Sequence, residues 1–319
     1  MALFLAEGDV ERLLTMPLAL TAVEAVHRDL SSGQACDVPR QRTRLPQTTL
    51  HILQGAVPRL DTIGYKAYTS NRTGVRFLVY LYAASSGRLR AVIEADRLGM
   101  TRTAAASGVA TNWLASPDAQ VAGVFGAGWQ AEGHIEALAA VRSLQRVKVY
   151  ARRAERLAMF CTKMSERLGL AVVPAASPED AVRGSDIVST VTSAASPLFD
   201  AEWLSPGTHV NGAGSNSLIR RELGEDVVKR CSPIVVDSLP TALREAGDLL
   251  PPLEKGRLHA RQLIELGDVI SGRQPGRSAP DQITLFESQG MAVQDLAVAA
   301  QIEALARERG LGIELPFGG

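Results

Sequence analysis

The feature that most constrains the fold of this chain is one apolar, glycine-rich stretch, Val121-Ala-Gly-Val-Phe-Gly-Ala-Gly-Trp-Gln-Ala131. Its first five residues suit a short buried strand of a parallel sheet. The first two glycines of the turn bring the backbone close to a pyrophosphate, and Ala131 lets the following helix pack against the strand. A helix predicted from Gln130 to Arg142 points its first amides at the phosphates. We therefore predict a dinucleotide site formed by Gly126, Ala127, Gly128, Trp129 and Gln130; the alternative is a glycine-rich loop of another α/β fold.

The end of the next predicted strand, Val147 to Tyr150, indicates which dinucleotide binds. A protein that uses NAD usually carries Asp or Glu there, about 20 residues past the glycines, to bond the ribose 2′-hydroxyl. This chain has Ala151 followed by Arg152 and Arg153. A guanidinium can hold a 2′-phosphate with two parallel hydrogen bonds. The pair predicts NADP(H) in preference to NAD(H); the alternative is a solvated pair at a helix start, where the dipole favours acids.

Length and composition are typical of an ordinary globular protein of two domains. The chain has 319 residues, of which 46% are apolar and 21% charged. Its 34 basic and 34 acidic residues balance, which argues against nucleic-acid partners and acidic membranes. No run approaches the ~20 apolar residues of a membrane span. Three cysteines without paired spacing indicate reduced thiols and a cytoplasmic location. The histidines show no metal-ligand spacing, so we expect no metal site.

Two patterns divide the chain. From Val121 to Asp237, short apolar strands alternate with helices, including one from Ala154 to Leu168, which predicts an α/β fold with a doubly wound parallel sheet of Rossmann type. The segment from Leu45 to Tyr82 is rich in Thr, Tyr, Val and Leu, with turns at Pro58 and at Asn71-Arg-Thr-Gly74. It predicts antiparallel strands. Two further helices are expected, from Thr103 to Leu114 and from Ala292 to Arg309.

Three basic residues before the glycine-rich turn are set among apolar or small neighbours: Arg42, Lys66 and Arg102. Lys66 falls inside a predicted strand with aromatic neighbours, and Arg102 is expected near the N-terminus of the helix that follows it. Buried cations are costly unless they are paired, so three that converge would suit a substrate carboxylate. The alternative for each is a surface residue or a structural ion pair.

A second candidate region runs from Gly207 to Leu223. A predicted strand enters a loop at the carboxyl edge of the sheet, where open α/β folds bind ligands. Asn216 and Arg220 lie in this loop. Asn offers a donor and an acceptor but no titratable proton. The alternative is a polar turn in which Asn216 caps the next helix.

The ordered motifs of the chain resemble the ornithine cyclodeaminase/mu-crystallin family over nearly its full length. The resemblance implies a Rossmann domain, residues 117–295, inserted into a split α+β domain for substrate binding and dimerisation, residues 1–116 plus 296–319. It also implies a homodimer. The matching motifs are Arg42-Thr43, Lys66, Arg102-Thr-Ala-Ala-Ala-Ser107, Gly126-Ala-Gly-Trp-Gln-Ala131, Pro206-Gly-Thr-His209, Arg221-Glu-Leu223, Val235-Val-Asp237, Glu265-Leu-Gly267 and Thr284-Leu-Phe-Glu-Ser-Gln-Gly290.

By the same resemblance, Arg42 and Lys66 would bind the carboxylate or imine region of the substrate. Arg102 would lie between substrate and nicotinamide, and Gln289 would contact the substrate. The remaining contacts to the cofactor are assigned by the resemblance to Thr190 or Thr192, to the loop from Val210 through Gly212 to Ala213, to Arg220 and to Ser288.

The chain departs from the cyclodeaminases at two positions. Their motif Gly-Ala-Asp holds the acid thought to move protons during cyclisation, and here it is matched by Gly214-Ser-Asn216. Asn cannot act as a general acid or base. A family threonine beside the nicotinamide falls on or near Leu78. Cyclodeaminases recycle NAD, whereas a preference for NADP suits a net reduction.

These observations favour an NADPH-dependent oxidoreductase that reduces a ketimine, either a cyclic imino acid or a 2-oxo acid plus an amine, to an L-amino acid. In this hypothesis Lys66, Arg102 and Asn216 are the catalytic residues. One alternative is an ornithine cyclodeaminase-type ammonia-lyase with catalytic NAD. Another is a non-enzymatic NADP-binding protein like the crystallins of the family.

Overall fold

The computed structural model describes residues 1–71 and 74–317. The strands are β1 (Ala2–Leu5), β2 (Cys36–Arg44), β3 (Thr49–Val57), β4 (Thr62–Asn71), β5 (Gly74–Ala83), β6 (Leu89–Glu94), β7 (Val121–Phe125), β8 (Arg146–Tyr150), β9 (Ala171–Pro174), β10 (Ile187–Thr190), β11 (His209–Gly212), β12 (Cys231–Val236), β13 (Leu263–Glu265), β14 (Ile283–Glu287) and β15 (Ile313–Leu315). The helices are α1 (Glu7–Leu13), α2 (Met16–Ser31), α3 (Asp96–Leu114), α4 (Trp129–Val141), α5 (Ala154–Leu168), α6 (Pro178–Val182), α7 (Glu225–Arg230), α8 (Leu239–Glu245), α9 (Leu250–Glu254), α10 (Leu266–Ile270) and α11 (Ala292–Arg309).

The chain divides into two compact units, Met1–Arg102 with Met291–Gly319, and Thr103–Gly290. Helix α3 includes residues of both. The functional domains expected from the sequence, 1–116 with 296–319 and 117–295, stay a prediction.

The first unit is built on a seven-stranded sheet with the order β15-β1-β6-β5-β4-β3-β2. The strands from β2 to β6 pair antiparallel, as predicted for the segment from 45 to 82, while β1 runs parallel to β6. Residues 72 and 73, in the middle of the predicted turn after Asn71, lie outside the described residues. Helix α11 packs across β3, β4 and β5. In β4 it covers the residues that alternate inward, Gly64 and Lys66 among them.

The second unit is a doubly wound sheet of eight parallel strands, in the order β13-β12-β14-β11-β10-β7-β8-β9. Apolar clusters cover the sheet, one around Phe125, Val210 and Leu285 and another around Val124, Ile135 and Met164. This architecture confirms the predicted Rossmann-type α/β fold. It brings the ends of β7, β10, β11 and β14 to one edge, where ligands bind in such sheets.

One predicted boundary was wrong. Helix α3 begins at Asp96 rather than Thr103, so Arg102 lies in its second turn and not near its N-terminus. The helix is capped from a distance, because the Glu7 carboxylate accepts hydrogen bonds from the backbone amides of Asp96 and Arg97. A capping side chain that lies 89 residues away leaves no local signal in the sequence.

No helix within the described ranges is long and apolar enough to cross a membrane.

Candidate active site

The turn between β7 and α4 has the geometry of a dinucleotide site. Gly126 adopts φ of +117°, a conformation that favours glycine, and a Cβ there would lie 3.1 Å from the Val191 carbonyl oxygen. At Gly128, the position of an added Cβ has no described heavy atom within 4 Å. No side chain of the described residues caps α4 at Gly128. An open approach to an uncapped helix N-terminus fits a phosphate, so residues 126–130 fit the pyrophosphate of a dinucleotide.

Arg152 and Arg153 follow β8 after one intervening residue, Ala151, and β8 lies beside β7 in the sheet. Both are exposed, and Arg153 is the N-cap residue of α5, where its side chain has no acceptor for the first backbone amides of the helix. Their guanidinium groups therefore remain accessible to an anion at this edge of the sheet. No carboxylate stands at 151, 152 or 153.

The predicted cofactor contacts on the neighbouring strands are held together by a buried acid, Glu222. Its Oε1 accepts a hydrogen bond from the Thr192 amide at 2.6 Å, and its Oε2 accepts one from the Gly214 amide at 2.7 Å. Thr190 lies at the end of β10, and its hydroxyl contacts the carbonyl of Asn211. Val210 and Gly212 are buried in β11. Glu222 thus ties the loop after β10 to the loop after β11.

Glu222 belongs to a cluster of three buried carboxyl groups that sequence reasoning missed. Asp248 accepts hydrogen bonds from the amides of Glu222 and Leu223, and Glu287 accepts one from the Ser215 hydroxyl. Burial raises the pKa of Glu222 to about 7. Burial, together with the charge of Asp248, raises the pKa of Glu287 well above its ordinary value. The cluster therefore holds protons near neutral pH.

Ser288 and Gln289 lie in the turn between β14 and α11, and Asp237 anchors this turn. Its Oδ2 accepts hydrogen bonds from the Gln289 amide at 2.8 Å, the Gly290 amide at 2.7 Å and the Ser288 hydroxyl at 3.2 Å. The Gln289 side chain donates to Glu287. In the second unit, Glu222 thus holds the loops after β10 and β11, and Asp237 holds the turn after β14.

The first unit brings Lys66 and Arg102 together on a third acid, Asp295. The Lys66 ammonium lies 2.9 Å from Asp295 Oδ1, and Arg102 Nε lies 3.0 Å from the same oxygen. Arg102 Nη1 also donates to Gln294, which in turn bonds His27. Lys66, Arg102 and Asp295 are only 3%, 6% and 0% exposed. An ammonium has three N–H donors and a guanidinium five, so both cations can bind the carboxylate of a ligand while they stay on Asp295.

Burial lowers the pKa of Lys66 to about 8, and the neighbouring Asp295 carboxylate partly offsets this. Arg102 adds to the decrease. The ammonium lies 4.5 Å from the centroid of the Phe77 ring. A Cβ added to Gly99 would lie 2.8 Å from the Lys66 ammonium. A lysine that changes its charge near physiological pH can give up a proton to a substrate.

Arg42 is half-buried in β2 and pairs in register with His51 of β3. Burial lowers the pKa of His51 to about 4, and the charges of Arg42, Arg40 and Arg44 act in the same direction. Burial, together with the basic side chains of β2, thus keeps His51 neutral near pH 7.

Asn216 and Arg220 lie in the loop between β11 and α7, as expected. Asn216 is exposed and Arg220 is half-buried. The N-cap of α7 is Gly224, so Asn216 does not cap the next helix. Leu78 lies in β5 in register with Ala67, next to Lys66 in β4.

A parallel sheet with a glycine-rich phosphate turn, and a buried lysine–arginine pair in a separate unit, define a dinucleotide-dependent α/β protein. The chain belongs to the ornithine cyclodeaminase/mu-crystallin family, whose model matches residues 2–310.

Three relatives show what the chain is similar to. A Δ1-pyrroline-2-carboxylate reductase of Bacillus cereus is 35% identical over 85% of this chain and 86% of its own. The structure of the Δ1-pyrroline-2-carboxylate reductase of Thermococcus litoralis with NADH and L-proline has a TM-score of 0.94 at 29% identity, covering 98% of this chain and 100% of its own. An archaeal alanine dehydrogenase dimer with bound NAD has a TM-score of 0.94 at 30% identity, covering 99% of both chains.

Proposed function

We propose that the protein is an NADPH-dependent reductase of ketimines that carry a carboxylate on the imine carbon, and that it forms the corresponding amino acid. The observation that carries this proposal is the buried pair of Lys66 and Arg102 on Asp295. It offers two cations for a carboxylate and one proton for an imine nitrogen. The relatives that act on Δ1-pyrroline-2-carboxylate support this substrate class, because pyrroline-2-carboxylate is itself a cyclic ketimine.

The roles of the residues follow from their chemistry. Arg42, Arg102 and Lys66 bind the substrate carboxylate, and Gln289 orients the substrate. Lys66 donates a proton from Nζ to the imine nitrogen as the C=N bond becomes a C–N bond. The nicotinamide, when bound, supplies the hydride that the imine carbon receives. The protein then contributes mainly the positioning of the reactants and the stabilisation of charge.

The presence of Asn at position 216 supports a reductase rather than a cyclodeaminase. An exposed amide cannot carry the proton that the cyclodeaminases move with the acid of their Gly-Ala-Asp motif. We therefore assign Asn216 an orienting role in this loop.

We also propose the cytoplasm as the location of the enzyme.

A spectrophotometric screen tests the function. Steady consumption of NADPH is expected with cyclic ketimines or with pairs of 2-oxo acid and amine. Release of ammonia from ornithine without net oxidation of the cofactor would instead identify a cyclodeaminase. Tight binding of NADPH without turnover across the panel would identify a binding protein.

We expect NADPH to bind at least tenfold more tightly than NADH. Arg152 and Arg153 are exposed where an acid would exclude a 2′-phosphate, and a tenfold ratio requires only ~1.4 kcal/mol. Titrations followed by tryptophan fluorescence measure both affinities, since Trp129 is the first residue of α4 and directly follows Gly128. Arg152→Ala should weaken NADPH and leave NADH nearly unchanged, while Arg156→Ala, at an exposed residue in the first turn of α5, should change neither. Equal affinities in the unmodified protein would refute the preference for NADPH. The preference does not come from the relatives, two of which were solved with NADH and with NAD.

We further propose a homodimer, as in the archaeal alanine dehydrogenase, with the open face of the first sheet at its interface. Opposite α11, this face carries stacked Tyr65 and Tyr80 and the 47%-exposed Ile63. A half-exposed apolar sheet face of this kind is typical of an interface. Light scattering should show a dimer, and Ile63→Lys should weaken it about tenfold or more. Met159→Lys, at an exposed residue of the second unit, is the matched control. A monomeric protein at micromolar concentration would contradict the proposal.

A further inference from the structure

We propose that Asp295 is the positioning residue of the substrate site: one carboxylate oxygen holds the Lys66 ammonium and the Arg102 guanidinium as a pair, and keeps Lys66 protonated for transfer. This inference rests on the proposed role of Lys66 as the proton donor to the imine nitrogen. It adds a residue that acts on the reaction through Lys66 rather than through the substrate.

The geometry of the contact is specific. Asp295 lies in the first turn of α11, and its Oδ1 accepts hydrogen bonds from Lys66 Nζ at 2.9 Å and Arg102 Nε at 3.0 Å. Both cations have long side chains, which lose conformational freedom when they are held at one point. The charge of Arg102 also disfavours the ammonium form of Lys66. A shared anion therefore fixes the two cations in a geometry that a substrate carboxylate can use.

The second carboxylate oxygen of Asp295 also bears on how strongly Asp295 is coupled to Lys66 and Arg102. Asp295 Oδ2 is buried and has no hydrogen-bond partner within residues 1–71 and 74–317. The negative charge of the carboxylate is therefore balanced through Oδ1, by Lys66 and Arg102. A change at Asp295 should act directly on these two cations.

The groups that face Lys66 come from four elements, and the three charged ones differ in sign. Asp295 of α11 favours the ammonium form, whereas Arg102 of α3 and Arg40 of β2 disfavour it. Phe77 of β5 contributes its ring face. The balance sets the pKa of Lys66 at about 8. Removing the charge of Asp295 and removing the charge of Arg102 should consequently shift the pKa of Lys66 in opposite directions. A purely structural role of Asp295 does not predict this outcome.

Nuclear magnetic resonance of the full-length protein with ¹³C-labelled lysine tests this. The sequence has only five lysines, and the Cε signal of Lys66 is identified by its loss in Lys66→Met. Asp295→Asn should lower the titration midpoint of Lys66 by about one pH unit or more, and Arg102→Gln should raise it, since a charge within ~4–6 Å shifts a neighbour by 1–3 units. Asp29→Asn, at another buried acid of the first unit, should leave the midpoint unchanged.

An unchanged or raised midpoint in Asp295→Asn would overturn the proposal. Should this variant fail to fold, the Arg102→Gln arm decides, because a midpoint that does not rise there overturns it equally. The titration requires no turnover. If the midpoints shift as expected but no ketimine is reduced, the proposed function fails and the coupling stands. If ketimines are reduced and the midpoints do not move, the function stands and the role of Asp295 fails.

Discussion

Lys66→Ala is expected to lower kcat/KM for ketimine reduction by about 10²–10⁴-fold, the usual contribution of a positioned proton donor. The loss should fall on kcat/KM and not on the affinity for NADPH, because Lys66 belongs to β4 and not to the glycine-rich turn. The wild type should lose activity as the pH rises through about 8, since the protonated form of Lys66 acts as the acid. The variant should lack this decrease. Steady-state rates across pH and a fluorescence titration of NADPH measure both effects.

Asn216→Ala is the comparison variant for this prediction. It removes at most a hydrogen bond worth ~0.5–1.5 kcal/mol, so its effect on kcat/KM should be clearly smaller. Asn216→Asp restores the acid of the cyclodeaminase motif and should increase release of ammonia from ornithine only if the chain uses that chemistry. Ketimine reduction by Lys66→Ala at a rate near that of the wild type, together with cyclodeamination by the wild type, would falsify the assignment of Lys66.

The parts of the fold that were predicted from sequence depend on local signals. Helices α5 and α11 have the predicted limits, and each is followed by a glycine in the left-handed conformation, Gly169 and Gly310, with φ of 62° and 64°. Such a glycine is a common helix terminator, visible in the sequence itself. The turn after β7 was likewise predicted from the glycines and from the strand and helix that flank them.

The parts that were missed depend on contacts between distant residues. Asp295 was seen only as part of the last helix, yet it pairs with Lys66 across 229 residues of sequence. Glu222 lies inside the family motif Arg221-Glu-Leu223, but nothing local shows that its carboxylate reaches the amides of Thr192 and Gly214. The sequence therefore indicated which cations were unusual. The acids that bind these cations and the loop amides could be identified only from the folded structure.

Glu222→Gln should flatten the dependence of the free energy of unfolding on pH. Glu222 has a pKa of about 7 in the folded protein because it is buried, against an ordinary value of 4.5. The folded state therefore holds this proton more tightly than the unfolded chain. The resulting stabilisation is fully present below about pH 4.5 and is lost as the pH rises through about 7. The difference corresponds to about 3 kcal/mol, shared with Glu287 and Asp248 because the cluster titrates as a unit.

Urea unfolding across this pH range measures the effect in the second unit. The three tryptophans, Trp113, Trp129 and Trp203, all lie in that unit, so their fluorescence follows its unfolding. Glu222→Gln should also carry a constant cost, because its amide NH₂ meets one of the two backbone amides that the carboxylate accepts. Glu225→Gln is the control: this acid is half-buried, and hydrogen bonding to Lys255 lowers its pKa, so the slope above about pH 4.5 should not change. A slope in Glu222→Gln equal to that of the wild type would show that Glu222 is ionised in the fold, and that it ties the two loops together as a carboxylate.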